Sequence, residues 1–364
     1  MAKSESGMNI IQMKINDMVD LMTPLYAASK PKDIPSLMLW GPPGIGKSES
    51  IKAIAKKLET MTGKKVVVTD VRLLLFNPVD LRGIPVADQK RELAVWLKPK
   101  IFQMDPSDNI INILMLDEIS AAPQSVQAAA YQITLDRIIG EHKLPDNCIV
   151  MAAGNRVTDK SVAYKMPKAL GNRMTHLEMV CDIEDWKKWA IPYGMDSRIV
   201  GFLNYMSSHL FKFDPSNDDC AYPTPRSWKM VNDYLSKLNS IDVAFPLIAG
   251  SIGLGCATEF KAWTQVFHKL PDVKGIFAGT VTDVPKEPDV LYALSAALVS
   301  AIGRETGAAQ KKALSNVLTY SMNMPAEFST LTVKDMVMVE NLRQKILTLP
   351  EWITWSRKHK NFIM

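Results

Sequence analysis

The stretch Leu37-Met38-Leu39-Trp40-Gly41-Pro42-Pro43-Gly44-Ile45-Gly46-Lys47-Ser48 decides the fold. Its first four residues read as a buried strand. They run straight into the spacing G-x-x-x-x-G-K-S, the pattern of a loop that cradles phosphate. The glycines let backbone N–H groups turn inward onto phosphate oxygens. The helix expected over 49–58 aims the positive end of its dipole at the same oxygens. Lys47, expected on a solvent-lined loop, adds a mobile cation for the β- and γ-phosphates of ATP, and Ser48 offers a hydroxyl to Mg2+. Gly41, Pro42, Pro43, Gly44, Ile45, Gly46, Lys47 and Ser48 are all candidate nucleotide contacts. The alternative is a plain Gly/Pro turn between a strand and a helix.

Outward from this loop, short apolar runs recur at 64–71, 110–116, 148–153 and 175–180, with helical spacing between them. Strands alternating with helices indicate an α/β domain built on a parallel sheet. Apolar residues at helical spacing, Ile11, Ile15, Met18, Val19 and Met22, predict a helix over 8–29. A Pro-punctuated linker follows at 30–35. Two segments interrupt the alternation. Residues 80–98 carry Gly83, Pro85 and a charged tip between apolar arms ending at Trp96-Leu97, which predicts a β-hairpin. Residues 136–145, with Gly140-Glu141 at the turn, predict a second. Beyond Asp182 the strand pattern fades, helical spacing dominates, and a domain boundary is placed near 180.

Five further positions carry candidate chemistry. Asp117 and Glu118 end the apolar run at 110–116. At a strand tip, Asp117 would hold a water on Mg2+, making Ser48 and Asp117 the candidate metal-binding pair, partly through water. Glu118 would take a proton from the water attacking the γ-phosphate, or orient it. The pair could instead simply start a helix over 121–135, whose first turn favours acids. Asn155, after Ala152-Ala153-Gly154, is placed to hydrogen-bond the attacking water or the γ-phosphate, or to form a turn with Arg156. Arg173, just before the run 175–180, is placed at the edge of the core domain away from its own nucleotide. There it suits a finger reaching a neighbour's γ-phosphate, or a surface ion pair. Arg226, in Pro223-Thr224-Pro225-Arg226-Ser227-Trp228, opens a helix where a cation opposes the dipole, which an anion such as the nucleotide would relieve.

The 364 residues are enough for two or three domains with real cores. A chain that is 47% hydrophobic and 22% charged is not mainly disordered. The net charge of +5 is too mild to argue for nucleic acid by itself. Cys148, Cys181, Cys220 and Cys256 are widely spaced with no C-x-x-C pair, which argues against a zinc site or disulfide framework and for a reducing compartment. No stretch approaches the roughly 18 apolar residues of a spanning helix, and the polar segment 1–7 has no signal pattern. A cytoplasmic protein is expected.

In the order Gly41–Ser48, Leu114–Glu118, Asn155, Arg173 and Arg226, the chain resembles the AAA+ ATPases, and more closely their MoxR-type group. These stretches correspond to the family's Walker A, Walker B, sensor 1, arginine finger and sensor 2. Asp80-Leu81-Arg82-Gly83-Ile84-Pro85 is similar to its helix-2 insert, Asp117-Glu118-Ile119-Ser120-Ala121-Ala122-Pro123 to its Walker B extension, and Ala152-Ala153-Gly154-Asn155-Arg156 to its sensor strand. The context Gly171-Asn172-Arg173-Met174 departs from the family, which often has Asp or Ser before the finger and Phe after it. The similarity runs from about 30 to 300. It implies an N-terminal helical segment (1–34), an αβα nucleotide-binding core (35–180), an all-α lid (181–300) and a helical C-terminal extension (301–364). It also implies ATP hydrolysis with Mg2+, a ring of six subunits completed by each neighbour's Arg173, and a partner with a von Willebrand factor A domain.

Three functions compete. The first is an ATP-driven, chaperone-like remodeller of a protein client, with the two hairpins facing the ring pore or the client. The second is a nucleic-acid motor, which needs basic residues along the pore or a winged-helix module. The dense basic run Arg357-Lys358-His359-Lys360 reads instead as a solvated helix end, so nucleic acid is not the expected partner. The third is an ATP-gated assembly scaffold, which an intact Glu118 disfavours.

Overall fold

Strands buried along their whole length need cover on both faces, which a parallel sheet with crossover helices provides. The computed structural model of the protein describes residues 10–159, 164, 171–238 and 240–360. Two compact units divide it. One takes the residues up to Cys181 with Asp214–Asp218, and the other takes Asp182–Phe213 with the residues from Asp219 on.

The first unit holds a six-stranded parallel sheet. Its strands are β1 (Gln12–Lys14), β2 (Ser36–Trp40), β3 (Lys65–Arg72), β6 (Ile110–Asp117), β9 (Cys148–Gly154) and β10 (Met174–Val180), in the order β1-β10-β2-β9-β6-β3. Every residue of β2 and β9 is buried. Trp40 lies opposite Gly154, and Leu116 opposite Ala152. The loops that follow β2, β6 and β9 therefore leave the sheet at one edge, where ligands of open α/β sheets bind. On one face of the sheet, Val71, Leu114, Leu116 and Val150 pack with Val126, Ala130 and Ile133.

Helix α1 (Ile15–Ala28) is joined to α2 (Lys47–Thr62) by the Lys57–Asp20 ion pair at 2.5 Å. The expected helix over 8–29 is corrected at its start. Residues 12–14 are instead an edge strand, because the parallel ladder to Glu178–Val180 satisfies their backbone groups. Residues 8 and 9 lie outside the described residues. The helix expected over 121–135 begins only at Gln124, after Pro123. It runs as α4 (Gln124–Tyr131) into a π-turn at 132–136.

Both hairpins are present: β4 (Ile84–Ala87) with β5 (Ala94–Leu97), after the short helix α3 (Pro78–Arg82), and β7 (Ile138–Ile139) with β8 (His142–Lys143). They are tied together, since His142 Nε2 lies 2.8 Å from the Trp96 carbonyl oxygen. A Cβ at Gly140 would stand 2.4 Å from the Arg82 carbonyl oxygen, so the second turn fits only as glycine.

The second unit is helical: α5 (Ile183–Tyr193), α6 (Ser197–Tyr205), α7 (Pro225–Leu238), α8 (Ile241–Ile252), α9 (Leu254–Thr264), α10 (Val273–Ala278), α11 (Pro288–Arg304), α12 (Gly307–Ser321), α13 (Ala326–Val337), α14 (Glu340–Ile346) and α15 (Pro350–Lys358). Leu294 and Leu298 share one core with Leu314, Val317, Phe328, Met336, Ile346 and Trp355. Residues on both sides of position 300 thus pack together. The basic run at 357–360 is not wholly solvated: His359 is 2% exposed and stacks on Trp355 at 4.7 Å. Among the described residues, no helix is long and apolar enough to cross a membrane.

A buried ion pair joins two helices of this unit. Lys187 Nζ lies 2.8 Å from Asp335 Oδ1 and 2.8 Å from Glu184 Oε1, and Lys187 and Asp335 are both 0% exposed. Burial raises the Asp335 carboxyl above its ordinary value, while the Lys187 charge works against that rise. Asp335→Ala would leave the buried Lys187 ammonium with the half-exposed Glu184 as its remaining carboxylate partner and should cost about 3 kcal/mol. The measurement is the urea midpoint, with the half-exposed Glu184 replaced by Ala as a control expected to cost about 1 kcal/mol or less.

Candidate functional site

The loop after β2 turns on glycines that other residues would strain. Gly41, Gly44 and Gly46 have φ of +152°, +81° and +110°. A Cβ on Gly41 would stand 2.7 Å from Ile45 Cδ1 and 3.0 Å from the Met179 carbonyl oxygen. The loop feeds directly into α2, which begins at Lys47 rather than Glu49 and runs on to Thr62, where Gly63 caps it at φ +67°.

Lys47 departs from its expected setting. It is 9% exposed, and its Nζ donates to the Gly41 carbonyl at 2.6 Å, the Pro42 carbonyl at 2.9 Å and Asn155 Oδ1 at 2.9 Å. The lysine is therefore part of a packed polar node and not a side chain in open solvent. Three acceptors offset the cost of burying its charge.

Ser48 Oγ donates to Asp117 Oδ2 at 3.0 Å, so the end of β6 meets the start of α2. The neighbouring Glu118 is a non-glycine residue at φ +57°. Its N–H donates to Asp117 Oδ1 at 2.9 Å, and the next N–H, of Ile119, donates to the Ala153 carbonyl at 3.1 Å. Such a left-handed turn costs roughly 1–3 kcal/mol and persists only where its surroundings enforce it. Asp117 and Glu118 end the strand, and the helix starts later, after Pro123.

Sequence reasoning missed the residues that hold Asn155. Its N–H donates to Ser120 Oγ at 2.9 Å, and Ser120 is buried. A Cβ on Gly154 would meet that same hydroxyl at 2.8 Å. Arg156 binds Asp159 at 2.7 Å and Glu178 at 2.5 Å, and Gln12 Nε2 donates to Glu178 at 3.3 Å. Burial works against the Arg156 charge, but its bonds to Asp159 and Glu178 prevail and hold the guanidinium above its ordinary value. The only trace of this network in the sequence is a lone hydroxyl in Ile119-Ser120-Ala121-Ala122 and a charged residue, Glu178, in an apolar strand.

Lys47, Ser48, Asp117 and Asn155 are thus brought together, with Glu118 adjoining. Arg173 is placed elsewhere, for a reason that corrects the expectation. Its strand, β10, is not at the far edge of the sheet but lies directly beside β2. Met174 pairs with Ser36, at the end of β2 remote from the loop. A five-residue strand therefore separates Arg173 from Gly41, a span of roughly 15 Å. His176 braces the approach to this strand, accepting from Trp40 Nε1 at 2.8 Å and meeting the Gly171 carbonyl at 2.6 Å. Residues 167–170 lie outside the described residues. Arg226 belongs to the second unit, exposed in the first turn of α7. The start of that helix is capped reciprocally, with Ser227 N–H on Thr224 Oγ1 at 3.0 Å and Thr224 N–H on Ser227 Oγ at 2.8 Å.

The donor set suits Mg2+ carried by a phosphate ligand: a serine hydroxyl, a carboxylate and an adjacent cation. Mg2+ is held by one or two carboxylates plus substrate phosphates and keeps several waters. No cluster of three or more His, Cys, Asp or Glu that could hold a metal exists among the described residues.

Residues 36–176 match the family model described as the ATPase family associated with various cellular activities (AAA). Replication factor C subunit 4 of Caenorhabditis elegans is 31% identical over 118 residues, 32% of this chain and 33% of that protein. Replication factor C subunit 5 of Arabidopsis thaliana is 29% identical over 168 residues, 44% of this chain and 41% of that protein. The chain thus spans about a third to two fifths of the length of these relatives. Among solved structures, a putative ATPase from Cytophaga hutchinsonii aligns at 13% identity and TM-score 0.33, covering 91% of this chain and 92% of that chain. NtrX from Brucella abortus in complex with ADP aligns at 13% identity and TM-score 0.32, covering 96% and 68%. Likeness at this level carries no argument about function.

Lys47→Ala removes the buried cation and leaves the acceptors of three hydrogen bonds unmet. It should abolish calorimetrically detected ATP binding while costing about 1–3 kcal/mol of stability, with the circular dichroism spectrum retained. Wild-type ATP affinity in this variant would show that Lys47 serves only the loop.

Proposed function

We propose that the first unit is an AAA+ ATP-binding and hydrolysing module with the nucleotide seated at the start of α2. The observation that carries this reading is the convergence of Lys47, Ser48, Asp117 and Asn155 at one helix N-terminus, 2.9 to 3.0 Å apart in pairs. Loop N–H groups and Lys47 bind the phosphates. Ser48 and Asp117 would hold Mg2+, partly through water, and the ion would supply charge neutralisation to the phosphates. Glu118 accepts the proton of the attacking water, and Asn155 orients that water or the γ-phosphate. The chain divides functionally into the core at 35–180, a lid at 181–300 and an extension at 301–364 that buttresses the lid through their common apolar core.

The machine is a hexameric ring that remodels a protein client with a partner carrying a von Willebrand factor A domain. Support comes from the exposed apolar residues on and beside the first hairpin, Ile84, Leu93 and Leu97, which offer a client a grip that is not basic. The likeness to Replication factor C subunits favours a second reading, a nucleic-acid-associated motor. Turnover that rises with DNA and falls with salt selects the motor. Turnover that rises only with a protein captured by the Glu118→Gln form selects the remodeller.

Glu118→Gln should bind ATP yet hydrolyse it roughly 10²-fold more slowly or worse, since an amide keeps the shape but takes no proton. Turnover within a few-fold of wild type would remove Glu118 from the chemistry. Arg173 should act across a subunit boundary, so Arg173→Ala should bind ATP but lose roughly 10³-fold in turnover. Mixing it with Lys47→Ala should restore activity in proportion to protein concentration, because some interfaces then pair an intact loop with an intact Arg173. Co-assembly without recovery would overturn the role in trans.

A further inference from the structure

Asp70 was given no role by the motifs, yet strand register brings it to the metal side of the site. Strands β3 and β6 are parallel, with Asp70 opposite Met115, Val71 opposite Leu116 and Arg72 opposite Asp117. Paired residues share a face of the sheet, as do residues two apart along a strand. Val71 and Leu116 point into the core that contains Val126 and Ala130 of α4. Asp70 and Asp117 therefore stand together on the opposite face, where Ser48 of α2 meets Asp117 at 3.0 Å.

The cations near Asp70 are poorly placed to neutralise it. Arg72 Nε reaches its Oδ2 only at 4.0 Å, with the Arg72 side chain largely exposed and that of Asp70 about half exposed. Lys52, one turn beyond Ser48, is drawn to Glu49 at 2.7 Å. Among the described residues no hydrogen bond is donated to this carboxylate. A carboxylate with no such bond, on the face where Ser48 meets Asp117, is placed to accept hydrogen bonds from water on a cation held there.

We infer that Asp70 is a positioning residue of the divalent-cation site, a second carboxylate that acts with Ser48 and Asp117 by accepting hydrogen bonds from metal-bound water. This rests on the reading of the site as one for ATP with Mg2+. Mg2+ keeps several waters, and groups that hold such waters govern its affinity without touching the ion.

The test uses the full chain and compares wild type, Asp70→Asn and Arg72→Ala. ADP affinity is measured by calorimetry in EDTA and in Mg2+, and Mn2+ affinity of the ADP complex by electron paramagnetic resonance. Asp70→Asn should weaken Mn2+ binding roughly 10-fold or more while leaving metal-free ADP affinity within about twofold of wild type. Arg72→Ala should not weaken Mn2+ binding. Wild-type Mn2+ affinity in Asp70→Asn overturns the assignment, as does an equal loss in Arg72→Ala, which would make Asp70 only the partner of Arg72. A wild-type protein that binds ADP with no dependence on metal overturns the inference alone. One that binds neither ATP nor ADP overturns the reading of the site with it.

Discussion

The hydrogen bond from Lys47 Nζ to Asn155 Oδ1 joins two residues 108 positions apart, and it is possible only because β2 and β9 are parallel neighbours in register. Parallel pairing puts the ends of β2, β6 and β9 at one edge of the sheet. Each end then delivers one part of the site: the glycine loop, the paired acids, and the asparagine. An antiparallel partner would send one of these to the opposite edge. β2 and β9 are buried along their whole length, and a slip in their register would move the groups of the site together.

Around that node the backbone is held in conformations that cost energy. Gly41 has no room for a side chain against Ile45 and Met179, and Glu118 sits at φ +57° although it is not glycine. What enforces the turn at Glu118 is the bond of its own N–H to Asp117 and of the next N–H to Ala153. Ser120 and the Arg156–Asp159–Glu178 network do the same for Asn155, and Gln12 carries that network to the outermost strand. The sheet edge that carries Lys47 and Asn155 is thus held by these supports and not by the loop alone.

The helical unit is held differently. Its apolar core is interrupted by the fully buried Lys187–Asp335 pair, whose loss is costly because it leaves the buried Lys187 with only the half-exposed Glu184. The apolar residues left exposed on the β4–β5 hairpin mark the opposite tendency, a surface left uncovered on an otherwise well-packed unit.

Five of the six sheet strands, both hairpins, the phosphate-type loop and the strand-end residues Asp117, Glu118 and Asn155 were legible in the amino-acid order. Each is written in contiguous or short-range spacing, where propensity and alternation act directly. Burial of Lys47, the edge strand at Gln12–Lys14, the supporting roles of Ser120 and Arg156, the position of Arg173 beside β2, and the sheet face shared by Asp70 and Asp117 were not. All of these depend on which distant strands become neighbours and in what register. That choice is set by the free energy of closing one shared core, and no local stretch encodes it. The sequence by itself therefore determined which chemical groups this protein possesses and on what local elements they sit. Only the tertiary structure decided which of them face one another, because facing is a property of the sheet's pairing and not of any single strand.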